Sequence, residues 1–70
     1  MNTYCVIFET AEDGTVSAYV PDLPLILVSG RNHDEARQAV SEAIRIYREE
    51  LQLTGVPMPE PSMQHEMLTV

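Results

Sequence analysis

The chain has 70 residues and a net charge of −7, with eleven acidic side chains against four arginines, no lysine and one cysteine. That length allows one domain, the lone Cys5 excludes an intrachain disulfide, and so acidic a balance argues against a phosphate-backbone ligand, which needs a basic footprint. A domain near this size buries only about 60% of the surface its unfolded chain exposes, so a homodimer, a higher homo-oligomer or a tight partner is the expected source of further burial. A basic partner suits the charge, although acidity also serves solubility alone.

The N-terminal stretch MNTYCVIFE has no basic residue and only a short apolar run, which does not fit a signal peptide. No run approaches the length of a membrane span, and a free thiol suits a reducing, cytoplasmic setting. Residues 3 to 10, TYCVIFET, read as a strand with Tyr4, Val6 and Phe8 on one face and Cys5, Ile7 and Glu9 on the other. AEDG, residues 11 to 14, is a polar turn with Gly14 available for positive φ. From Thr15 to Val20 the pattern alternates, with Val16, Ala18 and Val20 facing one way and Thr15, Ser17 and Tyr19 the other. The two runs make a hairpin with a loop of four or five residues.

Pro21 and Pro24 then end the second strand, and Pro21-Asp22-Leu23-Pro24 reads as a stiff extended corner. Leu25 to Ser29 is a third strand, closed by Gly30. Asn32 is a good N-cap with Glu35 at the third helical position, a pairing that resembles a capping box. A helix follows to about Leu53, with Ala36, Val40, Ala43, Ile44, Tyr47 and Leu51 in an apolar stripe. Gly55 is a natural terminator and Pro57 prevents continuation. Residues 56 to 62 are a proline-rich connector within the same domain, and MQHEMLTV is a candidate for a short last strand. The expected class is α+β, a single domain over residues 1–70: a three-stranded antiparallel meander plus one long helix, β-β-β-α, with β added if that last strand forms. One helix covers one sheet face, so the other, carrying some of Tyr4, Cys5, Ile7 and Tyr19, is left for an interface.

The residues give no catalytic constellation. Cys5 has no basic neighbour to lower its pKa, His33 sits at the start of the helix, and His65 lies beside Glu66 with no evident nucleophile. The carboxylates lack the spacing of a calcium loop, so neither a metal nor another cofactor is expected. Arg37, Arg45 and Arg48 are diluted by Glu42, Glu49 and Glu50 and read as a solvated helix face rather than a nucleic-acid platform.

Several motifs, taken in order, resemble the HicB antitoxin family over about Tyr4 to Ser62. They are an aromatic-led strand before Asp13-Gly14, Val20 to Pro24 as V-P-D-L-P, a strand closed by Gly30, Glu35-Ala36 opening a helix, Glu42 to Ile44 as E-A-I with Tyr47 a turn later, and Gly55 to Ser62 as G-x-P-x-P-x-P-S. The resemblance implies a partial RNase H-like β-β-β-α-β fold without the nuclease's metal-binding carboxylates. It also implies a non-catalytic antitoxin that occludes a small basic RNA-cleaving toxin of the HicA type. Departures are Leu25-Ile26 after the proline corner, where the family commonly has Gly and then an aromatic or Cys, and Arg31-Asn32 where it usually has Asp-Thr. Family members usually carry a C-terminal DNA-binding domain as well. With the sequence ending at Val70, direct operator binding is not expected. Expected partner contacts are Glu9, Glu12, Asp13, Tyr19 and Asp22. The alternative is a self-associating domain with a structural or regulatory role and no toxin partner.

Overall fold

The computed structural model describes residues 3–62 together with 68 and 69. Its elements are β1 (Ile7–Thr10), β2 (Val16–Val20), β3 (Leu23–Gly30) and α1 (His33–Thr54). The strands form one antiparallel sheet in the order β1-β2-β3, and α1 packs across β2 and β3. This is the expected α+β meander with one helix. The short last strand proposed for residues 63–70 falls largely outside the described residues, and Leu68 and Thr69 belong to no strand.

The hairpin closes as its residues dictate. Ala11 donates its N–H to the Thr15 carbonyl at 2.8 Å, and Gly14 donates to the Ala11 carbonyl at 3.0 Å. Gly14 has φ of 91°, a region that side chains with a Cβ rarely adopt. The first strand is shorter than the run 3–10 suggests. Ile7–Tyr19 is the last β1–β2 pair, and residues 3 to 6 lie outside the strand.

The proline segment departs most from expectation. Pro21-Asp22 is a two-residue turn and not part of a four-residue corner, because Leu23 already pairs with Val20. Pro24 lies inside β3, tolerated because β3 is an edge strand. Two-residue hairpins favour turns with positive φ, which proline cannot adopt, and no described non-glycine residue has positive φ. An unprimed turn splays its strands. The register absorbs this: Tyr19 pairs with Leu27 and Val20 with Leu23, so Pro24, Leu25 and Ile26 have no opposite number. This bulge turns both Leu23 and Ile26 inward, although they are three positions apart.

Helix signals are local and hold. The Asn32 side chain accepts the Glu35 N–H at 2.9 Å. The Glu35 carboxylate accepts the Arg31 N–H at 3.0 Å, one residue before the cap, and the Arg31 guanidinium as well. Those contacts hold the Glu35 carboxyl below its ordinary range. At the far end Gly55, with φ of 76°, donates to the Gln52 carbonyl, and Val56 donates to that of Leu51. This pair of bonds is the Schellman pattern. Only Arg31 and Asn32 separate β3 from α1, so the first helical turn presses on the strand end. A Cβ at Gly30 would stand 2.6 Å from the Ala36 backbone nitrogen.

The core between sheet and helix is Val16, Ala18, Val20, Leu23, Ile26, Ala36 and Val40, with Tyr4, Val6, Phe8, Val28 and Tyr47 packed around it. Phe8 also stacks on the His33 ring, with centroids 4.3 Å apart. The connector is held at several points along its length. Met58 packs on the core, Tyr4 donates its hydroxyl to the Pro59 carbonyl, and Ser62 donates its hydroxyl and N–H to the two Asp22 carboxylate oxygens at 2.6 and 3.1 Å. Residues 56–62 therefore return across the fold to the β2–β3 turn.

Candidate protein-binding face

With Val16, Ala18 and Val20 buried under α1, the alternate residues of β2 face away from it. Register then assembles a cross-strand row on the open face: Ile7 opposite Tyr19, and Tyr19 opposite Leu27. The neighbouring row is Glu9, Ser17 and Ser29. Beyond it, at the same end of the sheet, lies the hairpin loop with Glu12 and Asp13. The open face thus grades from apolar to acidic over a few residues.

Leu27 is 71% exposed and Leu25, at the bulge, is 84% exposed. Burying such side chains is worth about 1.5–3 kcal/mol each, so a row of them is a standing driving force for contact. Tyr19 and Ile7 are half-buried beside them. Of the aromatic and thiol residues expected on this face, Tyr4 lies instead with Val6 and Phe8 against the core.

The five residues expected to contact a partner do not form one patch. Glu9, Glu12 and Asp13 gather at the hairpin end, all exposed. Asp13 also shapes the loop, since it accepts the Thr15 N–H at 2.9 Å, and that bond holds its carboxyl below the ordinary range. Tyr19 stands in the apolar row. Asp22 sits at the opposite end of β2, where both its carboxylate oxygens are engaged by Ser62. Sequence reading missed Leu25 and Leu27 as surface residues. Their leucine-rich run points to burial, and only the position of β3 at the sheet edge exposes them.

A groove of about 360 Å³ runs between the outer edge of β3 and α1, floored by Leu25 to Val28 on one side and Ala43, Ile46, Tyr47 and Glu50 on the other. A second depression of about 350 Å³ lies round the bulge beside Tyr19, Pro21, Pro24 and Leu27. Among the described residues, no three His, Cys, Asp or Glu side chains converge on a point that would hold a metal ion, and no helix is long and apolar enough to cross a membrane. His65 lies outside the described residues. The arrangement offers surfaces for another protein: an apolar row with an acidic margin, and a mostly apolar groove beside it with Glu50 at its wall. Comparison with family models, curated proteins and solved structures found no match for this chain.

Proposed function

We propose that this chain is a cytoplasmic, non-catalytic HicB-like antitoxin domain that binds a small basic RNA-cleaving toxin of the HicA type and inhibits it by occlusion. The observation that carries this reading is the open sheet face, where Ile7, Tyr19 and Leu27 form an apolar row bordered by Glu9 and the Glu12-Asp13 loop. An RNA-binding surface is basic because it must neutralise phosphates. A chain of charge −7 is drawn to such a surface and competes with RNA for it. The apolar row then supplies the affinity that charge alone does not, with Tyr19 as the central aromatic anchor. Inhibition needs no chemistry from the antitoxin, only coverage of the toxin's substrate surface.

The test is co-expression with the product of the adjoining reading frame. The expected result is co-purification of a small basic protein and suppression of its toxicity. Tyr19→Ala weakens the complex tenfold or more, which corresponds to about 1.4 kcal/mol. Glu9→Lys slows association and flattens its salt dependence. A chain that captures nothing, or a complex indifferent to both substitutions, refutes the reading.

A further inference from the structure

Contacts of two kinds attach residues 56–62 to the fold. The polar ones lie at exposed positions: Tyr4 donates its hydroxyl to the Pro59 carbonyl, and Ser62 donates its hydroxyl and N–H to Asp22. Water competes for each of these groups, so such bonds contribute little on their own. The apolar attachment is a single side chain. Of the connector's residues, Met58 alone packs against the core cluster. It is half-buried, so its thioether lies against apolar neighbours and is still open to a small solute.

The connector is also built to move as a unit. Pro57, Pro59 and Pro61 alternate with Val56, Met58 and Glu60. Each proline fixes its own φ and holds the residue before it extended. Met58 precedes Pro59, so its backbone has little freedom to adjust when its side chain changes. Pro59 and Ser62, which carry the polar attachments, follow in the same stiff run.

We propose that Met58 is a redox-sensitive latch: a peroxide that oxidises its thioether releases residues 56–62 from the core and from the β2–β3 turn, and leaves the sheet and helix in place. In that step the O–O bond of the peroxide breaks and one oxygen bonds to the sulfur. The thioether loses two electrons and the peroxide is reduced; with hydrogen peroxide the second oxygen leaves as water. The product is a sulfoxide, which turns a flexible apolar side chain into a polar one. Burying its oxygen without a hydrogen-bond donor is unfavourable. The core cluster is made of apolar side chains, no polar side chain is buried among the described residues, and the Tyr4 hydroxyl already serves Pro59. The sulfoxide is therefore better solvated outside the core. Its departure draws the stiff run away and leaves the exposed groups of Tyr4 and Asp22 to water. Methionine sulfoxide reductase restores the thioether, so the release is reversible. The inference concerns the connector and does not depend on the toxin reading.

Hydrogen peroxide treatment of the full chain, followed by peptide mass mapping and amide exchange, tests it. Met58 is expected to gain one oxygen, and the Ser62 amide then to exchange at least about tenfold faster while amides in β2 keep their protection. Met58→Leu keeps an apolar side chain without the thioether. Its Ser62 amide is expected to ignore peroxide, which separates the effect from oxidation of Cys5 and the other methionines. Met58→Gln puts a polar side chain in the same place and is expected to speed Ser62 exchange with no oxidant present. Unchanged Ser62 exchange in a chain oxidised at Met58 overturns the inference, as does the same acceleration in Met58→Leu. Loss of protection throughout β2 overturns it too, because the whole fold would then yield and not the connector. So does a Met58 that stays intact while free methionine in the same solution is consumed.

Discussion

Leu23 and Leu25 stand two positions apart in one strand, yet Leu23 is fully buried and Leu25 is 84% exposed. Regular alternation would put them on the same face. The unpaired Pro24, Leu25 and Ile26 separate their fates. Leu23→Ala should therefore cost about 2–5 kcal/mol, the range for emptying a packed leucine site. Leu25→Ala should stay within about 0.5 kcal/mol, as surface substitutions do. Urea denaturation of the two variants at low micromolar concentration decides it, and equal losses would contradict the bulged register. The sequence shows leucines on both sides of Pro24 but not which one turns inward. A reading that keeps Leu23 in a corner and starts the strand at Leu25 reverses their weight. Gly30 makes a related point: it reads as a strand terminator, but its structural constraint is the nearby helix backbone, which leaves no room for a Cβ.

At the scale of elements, α1 was the most legible because its determinants lie within a few residues of one another. Asn32 and Glu35 start it, the stripe from Ala36 to Tyr47 orients it, and Gly55 ends it. Glu42–Arg45 and Arg45–Glu49 ion pairs also span single turns of the helix, although exposed pairs of this kind contribute little to stability. The connector was the least legible. Its prolines correctly suggest an extended segment, but its attachments join residues 55 and 40 positions apart, Tyr4 with Pro59 and Asp22 with Ser62. Asp22→Ala removes the acceptors for both Ser62 donors. The Ser62 amide should then exchange with solvent tenfold or more faster, while amides in β2 keep their protection, as expected for local release of one segment. Unchanged exchange at Ser62 would show that Asp22 does not hold the connector. Its attachment also separates Asp22 from the acidic residues offered to a partner on the hairpin.

For the whole molecule, charge and thickness set the behaviour. The fold is 17 Å across its shortest axis, the depth of one helix on one sheet, and among the described residues no second helix lies on the other sheet face. Among the described residues the exposed ion pairs engage Arg31 and Arg45, whereas the excess of seven negative charges is spread over the molecule. Self-repulsion outweighs these pairs. Raising sodium chloride from about 0.01 M to about 0.15 M shortens the screening length from about 30 Å to about 8 Å and should raise Tm by a few degrees, since about 1 kcal/mol corresponds to about 4–8 °C for a domain of this size. The measurement belongs at low micromolar concentration, where any self-association contributes least. A fall in Tm with salt would mean that the ion pairs dominate.

The sequence by itself determined the β-β-β-α order, the hairpin closed by Asp13 and Gly14, both ends of the helix and the acidic balance. These follow from residue type, short-range spacing and side-chain period, which act before any tertiary contact forms. Only the tertiary structure decided that Ile7, Tyr19 and Leu27 share a row, that Leu23 is buried while Leu25 is exposed, and that the β3 edge opens beside α1 as a groove without acidic lining apart from Glu50. Each depends on strand register or on which strand is left at the edge. Both are set by how the turn at Pro21 splays the strands and by how much sheet a single helix can cover.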